Sequence, residues 1–249
     1  MKEVADIQWL DEVDSTNNEA IRRIEGLDNM SVLAARNQTA GRGQRGNSWL
    51  VNPGENLTFS MVLKFGGDGF PPLKAARQFG LTRRVTLGLA DYLEGEGISC
   101  TVKWPNDIYV RNRKICGILI ENVLRGDEVA TSVVGIGLNV NQKTFPPQLV
   151  NPTSMAELTG REYDLESELR SLCGCLVKRL AVSGPAEGEN DEYSGRLYRR
   201  GVFNEYVISS TGETIVGRIV DVTEKGLLVI ETKKGERLQF AFKEINYVI

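Results

Sequence analysis

The chain has 249 residues, which is enough for one substantial domain and a small second one. Its formal net charge of −3 offers no overall basic surface, which argues against bulk binding to DNA or to an anionic membrane. The sequence has no histidine, which excludes a Ser-His or Cys-His nucleophile and a His-ligated zinc. The composition therefore favours chemistry that depends on stabilising charge.

Apolar periodicity predicts a mixture of helices and strands over most of the chain. Thr16 and Glu19 have capping-box spacing before an apolar stripe, which predicts the first helix. Ser154 and Glu157 repeat that spacing, and Gly160 is placed to end a second, short helix. In chain order we predict a helix over 16–24, a strand over 31–35, a long loop over 36–56, a strand over 57–65, a helix within 73–93, strands over 101–110, 114–124 and 128–140, and a leucine-rich helix over 165–180.

The character of the sequence changes near residue 204. An acidic, breaker-rich run over 184–192 predicts a solvated loop. Short β segments follow over 206–209, 214–222, 226–232 and 237–242. We therefore predict an α+β fold, with a mixed β-sheet and helices over 1–203 and a small all-β barrel over 204–249.

Targeting signals and metal patterns are not found in the sequence. The N-terminal residues do not form a secretory signal, and no apolar run approaches membrane-spanning length. The four cysteines, Cys100, Cys116, Cys173 and Cys175, lack zinc-site spacing. We interpret them as reduced core or half-buried residues, and we expect no metal site and a cytoplasmic location.

The first candidate segment is Asp14–Ser15–Thr16–Asn17, at the start of the first predicted helix. Free backbone N–H groups and small hydroxyls at a helix start suit the polar head of a ligand. Simple helix capping explains the same residues, and for this segment alone it is the better interpretation.

The second segment runs from Gln38 to Trp49 and contains three glycines and two arginines. The glycines let the backbone approach an anion, the arginines supply charge, and Trp49 offers a flat face for a ring. The Gly-Lys-Ser/Thr ending of a Walker loop is missing. On chemistry alone, a ligand-binding loop and a mobile surface loop are equally good interpretations.

The third segment is Lys103–Trp104–Pro105–Asn106–Asp107, with Lys114 on the next predicted strand. Pro105 restricts Trp104 and fixes a turn, which can aim the polar residues into one space. Two lysines and a carboxylate suit a reaction between a carboxylate and ATP. A tryptophan-centred turn with solvated lysines is plausible for each residue, and less so for the group.

The fourth segment is residues 135–141, GIGLNVN. Its alternating small residues leave a groove beside the strand, and Asn139 has an amide that can donate to a phosphate or sugar. A bulged core strand is the better interpretation when this segment is taken alone.

Together these segments resemble those of the biotin–protein ligases in order and spacing. The resemblance includes residues 114–121, KICGILIE, and runs from about residue 7 to the C-terminus. The glycine-arginine loop and the Lys-Trp-Pro-Asn-Asp segment are specific as a pair, and the others corroborate them. The resemblance implies a catalytic domain like that of class II aminoacyl-tRNA synthetases, followed by an SH3-like barrel. It also implies an enzyme that adenylates biotin with ATP and transfers biotin to a lysine of a biotin carboxyl carrier domain.

The resemblance also implies residue roles. Lys114 and Arg42 would stabilise the reacting carboxylate and phosphate, and Asp107 would assist loss of a proton from the acceptor amine. The residues implied to bind biotin are Ser15, Thr16, Asn17, Gln38, Gly41, Arg42, Gly43, Gln44, Lys114 and Gly117. Those implied to bind the nucleotide are Arg45, Trp49, Lys103, Asn106 and Asn139, with Trp49 over the adenine and Mg2+ carried by ATP.

Two departures from the family pattern bear on these roles. The family loop commonly has arginine where this chain has Gln44 followed by Arg45, so the usual arginine role falls to either Gln44 or Arg45. Cys116 stands where a small residue is usual, which we interpret as a packing change. The sequence also begins almost directly at the predicted catalytic domain, without a helix-turn-helix domain, so we expect no DNA binding. A homodimer is left open.

Two other functions compete with this one. A lipoate–protein ligase resembles the family in fold, but lipoate lacks the ureido group that Ser15, Thr16 and Asn17 suit. A catalytically silent biotin-binding regulator would have no need for Lys114, Lys103 and Arg42. ATP–pyrophosphate exchange with biotin, compared with lipoate, separates all three.

Overall fold

The computed structural model describes residue 4 and residues 6–181 and 188–248, apart from the side chain of Arg45. Its strands are β1 Ile7–Val13, β2 Val32–Gln38, β3 Leu57–Lys64, β4 Leu73–Lys74, β5 Thr101–Lys103, β6 Asp107–Val110, β7 Arg113–Arg125, β8 Glu128–Leu138, β9 Phe203–Ile208, β10 Thr214–Val222, β11 Leu228–Thr232, β12 Arg237–Phe240 and β13 Ile245–Tyr247. Its α-helices are α1 Thr16–Arg22, α2 Phe79–Gly95, α3 Met155–Thr159, α4 Leu165–Leu180 and α5 Glu189–Gly195.

The larger sheet has eight strands in the order β1-β2-β3-β8-β7-β6-β5, with β4 also paired to β8. β1 and β2 run parallel, whereas the remaining neighbours are antiparallel. The predicted mixed sheet with helices is confirmed.

The sheet is buried on both faces, because successive strand residues point to opposite sides. Leu33 and Val62 pack with Ala20 of α1 on one face. Their neighbours Ala34 and Met61 belong to the core that includes α2 and α4 on the other face. This arrangement explains why β2 and β3 are apolar runs without strict alternation.

Helices α2 and α4 pack closely on the second face. A Cβ added to Gly88 of α2 would lie 3.1 Å from Cα of Leu176 in α4, so the glycine allows the close approach. The α4 leucines predicted to share one face are buried, namely Leu165, Leu169, Leu172, Leu176 and Leu180. Helices α2 and α4 together cover this face of the sheet.

At one of the two predicted capping boxes the serine cap forms, while the Glu157 carboxylate pairs with Arg113. The Ser154 hydroxyl accepts a hydrogen bond from the Glu157 amide at 3.2 Å, and Gly160 ends α3 in the left-handed conformation with φ 73°. At α1 the prediction is wrong, because Ser15 is the N-cap and makes no side-chain capping bond. Thr16 is already helical, so its hydroxyl is directed into the site described below.

Two predicted segment boundaries also need correction. The predicted strand over 101–110 is interrupted, because β5 ends at Lys103 and β6 begins at Asp107, its antiparallel partner. Pro105 has no N–H to donate to a ladder, which accounts for a turn there. Of the predicted acidic loop, residues 184–187 lie outside the described residues, and 189–192 are instead the start of α5, where acidic residues are favoured.

The C-terminal part is a five-stranded antiparallel sheet in the order β12-β11-β10-β9-β13. Strand β13 was not predicted, because three residues are too few for a recognisable alternation. The sheet packs against the larger one: Trp104 Nε1 donates to the Gly226 carbonyl at 3.0 Å, and Arg83 donates to the Val222 and Thr223 carbonyls. The division at residue 204 stays a prediction.

The free cysteines behave as core residues. Cys100, Cys116 and Cys173 are buried and Cys175 is half-buried. Burial raises the pKa of the Cys100 and Cys173 thiols to about 12. Across the described ranges, no helix combines the length and the apolar character needed to cross a membrane.

Candidate active site

A cavity of about 310 Å³ lies beside β7 and β8 and is closed on one side by the C-terminal sheet. All four segments singled out in the sequence contribute to its wall. Of the predicted site residues, those that line it are Ser15, Thr16, Asn17, Gln38, Arg42, Gly43, Gln44, Trp49, Lys103, Asn106, Asp107, Lys114 and Gly117. The fold thus brings together residues that are spread over about a hundred positions of the sequence.

Two predicted residues, Gly41 and Asn139, do not line this cavity. Gly41 lines a neighbouring cavity, and its carbonyl accepts the Trp49 amide at 2.9 Å. Asn139 is buried, and its side-chain amide donates to the Thr153 carbonyl at 2.9 Å. The side chain of Arg45 lies outside the described residues. The nucleotide roles of Asn139 and Arg45 stay predictions.

One end of the cavity is polar and uncharged. The Thr16 amide at the start of α1 donates to Gln38 Oε1 at 2.8 Å. The buried Ser60 hydroxyl lies 2.8 Å from the Thr16 hydroxyl and donates to Asn17 Oδ1 at 2.6 Å. These bonds hold a set of small polar groups in fixed directions, as recognition of a neutral polar ring requires.

Glu121, near the end of β7, joins this polar end to the glycine-arginine loop. It accepts a hydrogen bond from Asn17 Nδ2 at 2.8 Å. It also accepts from both terminal nitrogens of Arg42, at 3.0 and 2.8 Å, a bidentate ion pair. The Arg42 side chain is thereby fixed beside α1, where Asn18 accepts a further bond.

Glycines on β7 and β8 leave the groove that the sequence predicted. A Cβ at Gly137 would overlap the Trp49 indole, and a Cβ at Gly117 would lie 3.1 Å from that ring. A Cβ at Gly135 would overlap the Asn17 amide. Trp49 therefore lies in the cavity against the sheet, and its Nε1 is buried without a hydrogen-bond partner among the described residues.

The other end of the cavity carries the lysines. Lys114 Nζ lies 2.8 Å from Asp107 Oδ1 and 5.6 Å from the centre of the Trp49 ring. Lys103 Nζ lies 5.0 Å from the ring centres of both Tyr109 and Tyr247 and donates to the Tyr109 hydroxyl. A fixed pair of ammonium groups at this end suits an anion.

Burial is the main cause of a lowered pKa for the Lys103 ammonium. The positive charges of Lys114 and Arg199 act in the same direction, whereas Asp107 opposes the shift. The turn that carries Lys103 is itself held, because Asn106 Nδ2 donates to the Ile118 carbonyl at 2.6 Å. Asn106 thus anchors the lysine-bearing turn to β7.

Three contributions to the site were missed by the sequence analysis. The Ser60 hydroxyl bonds Thr16 and Asn17, and Glu121 holds Arg42. The third is the segment from Phe242 to Tyr247, which also lines the cavity. A polar residue inside the apolar run LTFSMVLK was the available signal for Ser60.

The described residues contain no group of three or more Cys, Asp or Glu side chains arranged to hold a metal ion. The hydrogen-bond donors that line the cavity are amides, hydroxyls, lysines and an arginine. Such a set binds uncharged polar groups and anions.

Comparisons with known proteins agree with this fold. A family model described as Biotin/lipoate A/B protein ligase family matches residues 9–139, and one described as Biotin protein ligase C terminal domain matches residues 206–244. The chain therefore belongs to the biotin/lipoate A/B protein ligase family.

Individual relatives are similar over most of this chain. The Biotin--[acetyl-CoA-carboxylase] ligase of Paracoccus denitrificans is 30% identical over 233 residues, which are 90% of this chain and 94% of that protein. The Bifunctional ligase/repressor BirA of Bacillus spizizenii is 27% identical over 209 residues, and this chain spans 62% of its length. The biotin protein ligase of Aquifex aeolicus, solved in complex with biotin and ATP, superposes with a TM-score of 0.75 at 25% identity, covering 98% of this chain and 100% of that one.

Proposed function

We propose that this protein is an ATP-dependent biotin–protein ligase. The observation that carries the proposal is one cavity with two chemically distinct ends. The end at Thr16 and Gln38 is polar and uncharged, as a ureido ring requires, and the end at Lys103 and Lys114 is cationic, as a carboxylate and a triphosphate require. The likeness to the Paracoccus and Aquifex enzymes supports the same assignment.

In the first half-reaction, the biotin carboxylate attacks the α-phosphorus of ATP, the bond to the β-phosphate oxygen breaks, and pyrophosphate leaves. The carboxylate is already a nucleophile, so this step needs no base, which fits a chain without histidine. Lys114 and Arg42 stabilise the negative charge that develops on the phosphoryl oxygens. Trp49 covers the adenine in this proposal, and Asn106 keeps Lys103 in place.

In the second half-reaction, the amine of a carrier lysine attacks the carbonyl carbon of biotinyl-5'-AMP. The amide bond forms, the acyl–phosphate bond breaks, and AMP leaves. The acceptor ammonium must first lose a proton, and Asp107 assists that loss. Asp107 lies 2.8 Å from Lys114, so the residue that assists transfer is held by the residue that assists adenylation.

The finer assignments also belong to this proposal. The acceptor is a biotin carboxyl carrier protein or domain of a biotin-dependent carboxylase, and Mg2+ arrives with ATP. The proposal includes no binding to DNA or membrane, allows a homodimer, and places the enzyme in the cytoplasm, where free thiols are stable.

Lipoate remains the rival substrate, because the matching family model includes lipoate ligases. The match of residues 206–244 to a biotin protein ligase C-terminal domain favours biotin. A silent biotin-binding regulator is the second rival, and the paired Lys114 and Asp107 within the cavity count against it.

Pyrophosphate exchange tests the proposal and both rivals. The purified protein is given ATP and labelled pyrophosphate with biotin, with lipoate, or with neither, and then a carrier domain with labelled biotin. We expect exchange that requires biotin, and label on the carrier lysine. Exchange with lipoate alone would reassign the enzyme, and biotin binding without exchange would make it a regulator.

A further inference from the structure

The turn between β12 and β13 holds a lysine in an unusual backbone conformation. The Glu244 amide donates to the Ala241 carbonyl at 3.0 Å and closes a four-residue turn. Lys243 occupies its third position with φ 71°. Turns with a positive φ at that position normally take Gly or Asn, because a Cβ is disfavoured there. The turn therefore carries a residue that its backbone does not favour.

The same turn closes the lysine end of the cavity. Phe242, Lys243 and the segment from Ile245 to Tyr247 all line the cavity. Phe242 packs edge-on against Trp104 with ring centres 6.2 Å apart, and Tyr247 lies 5.0 Å from Lys103 Nζ. The turn thus faces the segment that the proposed function assigns to ATP.

Charge at this end of the cavity is unbalanced. The carboxylate of Asp107 pairs with Lys114. Neither Lys103 nor the exposed Lys243 forms a salt bridge with residues 6–181 or 188–248. The carboxylate of Glu244, beside Lys243, accepts a hydrogen bond from the Ala241 amide at 2.7 Å. An anion with several charges is the complement of this arrangement.

We propose that Lys243 is a nucleotide-binding residue that contacts the β- and γ-phosphate oxygens of ATP and then the leaving pyrophosphate. The inference rests on the proposed function and extends it to the C-terminal domain. Lys243 lines the cavity in this disfavoured conformation, and backbone strain of this kind is retained at functional sites. Lys243 acts on ATP binding, whereas Lys114 and Arg42 act on the chemical step.

The test uses Lys243→Asn, Lys243→Arg and the control Lys234→Asn in the full chain. Asn tolerates a positive φ but removes the charge, whereas Arg keeps the charge. Lys234 is an exposed turn lysine of the same domain that does not line the cavity. Initial rates of biotin-dependent pyrophosphate exchange give KM for ATP and biotin at low and high salt, transfer assays give KM for the carrier, and thermal melting gives Tm.

We expect Lys243→Asn to melt at or above the wild-type Tm while its KM for ATP rises about two- to fivefold, the size of one exposed charge contact. The values of kcat and of KM for biotin should stay near wild type, the difference should shrink in high salt, and Lys243→Arg and Lys234→Asn should behave normally. A merely structural lysine would not separate stability from ATP affinity in this way.

Three results would overturn the inference: an unchanged KM for ATP, a raised KM for the carrier alone, or a lower Tm that Lys243→Arg shares. If Lys243→Asn fails to fold, Lys243→Gly takes its place in the same assay. A wild-type protein without biotin-dependent exchange would instead defeat the proposed function, so the two failures are distinguishable.

Discussion

Arg42 and Glu121 form a bidentate ion pair, although they lie 79 positions apart in the sequence. The same carboxylate accepts the side-chain amide of Asn17. One residue of β7 therefore fixes both the loop arginine and a residue of the predicted biotin-binding segment.

Glu121→Gln should loosen Arg42 while leaving an acceptor for Asn17. The pair is partly exposed, with 40% and 28% of the two side chains accessible, so solvent screening reduces its strength to about 1 kcal/mol. We expect leakage of biotinyl-adenylate to rise roughly fivefold, measured by dilution of the preformed complex. Glu128→Gln, which breaks an exposed ion pair to Lys74, is the control.

A double-mutant cycle with Arg42→Ala gives the coupling directly. If Glu121 acts through Arg42, the double variant should leak no faster than Arg42→Ala alone. Effects of the two substitutions that simply add would show that Glu121 works independently.

Gly137→Ala should expel Trp49 from the cavity, because the new Cβ would overlap the indole. Trp49 lies on the cavity side, so the core should remain packed and Tm should change little. We expect KM for ATP to rise about tenfold, in line with overpacking by one methyl group, and the Trp49 fluorescence to shift to the red. Gly174→Ala on α4 is the matched control, since its Cβ meets nothing within 4 Å. Normal ATP binding by Gly137→Ala would disprove the role of the groove.

Lys103 should produce a pH dependence in ATP binding. Burial lowers its pKa below the ordinary lysine value of 10.5, so as pH rises its charge is lost at a lower pH than that of an ordinary lysine. KM for ATP in pyrophosphate exchange should therefore increase on the alkaline side at a pH below that value. Lys103→Arg keeps its charge and should move this limb to higher pH. Lys178→Arg on α4 is the control. If KM for ATP rises over the same alkaline pH range in the wild type and in Lys103→Arg, Lys103 is not the group that causes the pH dependence.

Lys114→Ala should separate the two half-reactions. In the proposed mechanism Lys114 stabilises charge during adenylation, and removing one preorganised donor costs about 10²–10³ in rate. Transfer starts from an activated anhydride, so the variant should recover a clear part of transfer when biotinyl-adenylate is supplied. Pyrophosphate exchange and single-turnover transfer measure the two steps, with Lys178→Ala as the control. Equal losses in both would assign Lys114 to ligand binding in general.

Local signals in the sequence predicted much of this fold. The α4 leucines and the Ser154 cap depend on residues three or four positions apart, and both appear as predicted. Lys114 and Asp107 were predicted to share a space because a short turn joins their strands, and they form an ion pair. Contacts within a few residues are what periodicity can detect.

Contacts between distant segments could not be predicted in the same way. Ser60 reaches Asn17 across 43 positions, and its neighbours in the strand are the apolar Phe59 and Met61. Asn139 was predicted to help hold the nucleotide; in the structure β8 ends at Leu138, and the Asn139 side-chain amide donates to the Thr153 carbonyl. Where a strand ends decides which side a residue faces, and a strand end is set by tertiary contacts.

Trp104 is at once part of the cavity wall and a contact with the C-terminal sheet, through Gly226 and Phe242. Any local opening that detaches that sheet therefore also admits water to the cavity, well before the whole protein unfolds. A mixed anhydride stored there would then hydrolyse and ATP would be wasted. In the proposed function the lifetime of the activated intermediate depends on how firmly the two β-sheets stay docked, and mutations far from the reacting atoms are expected to shorten it by loosening that contact.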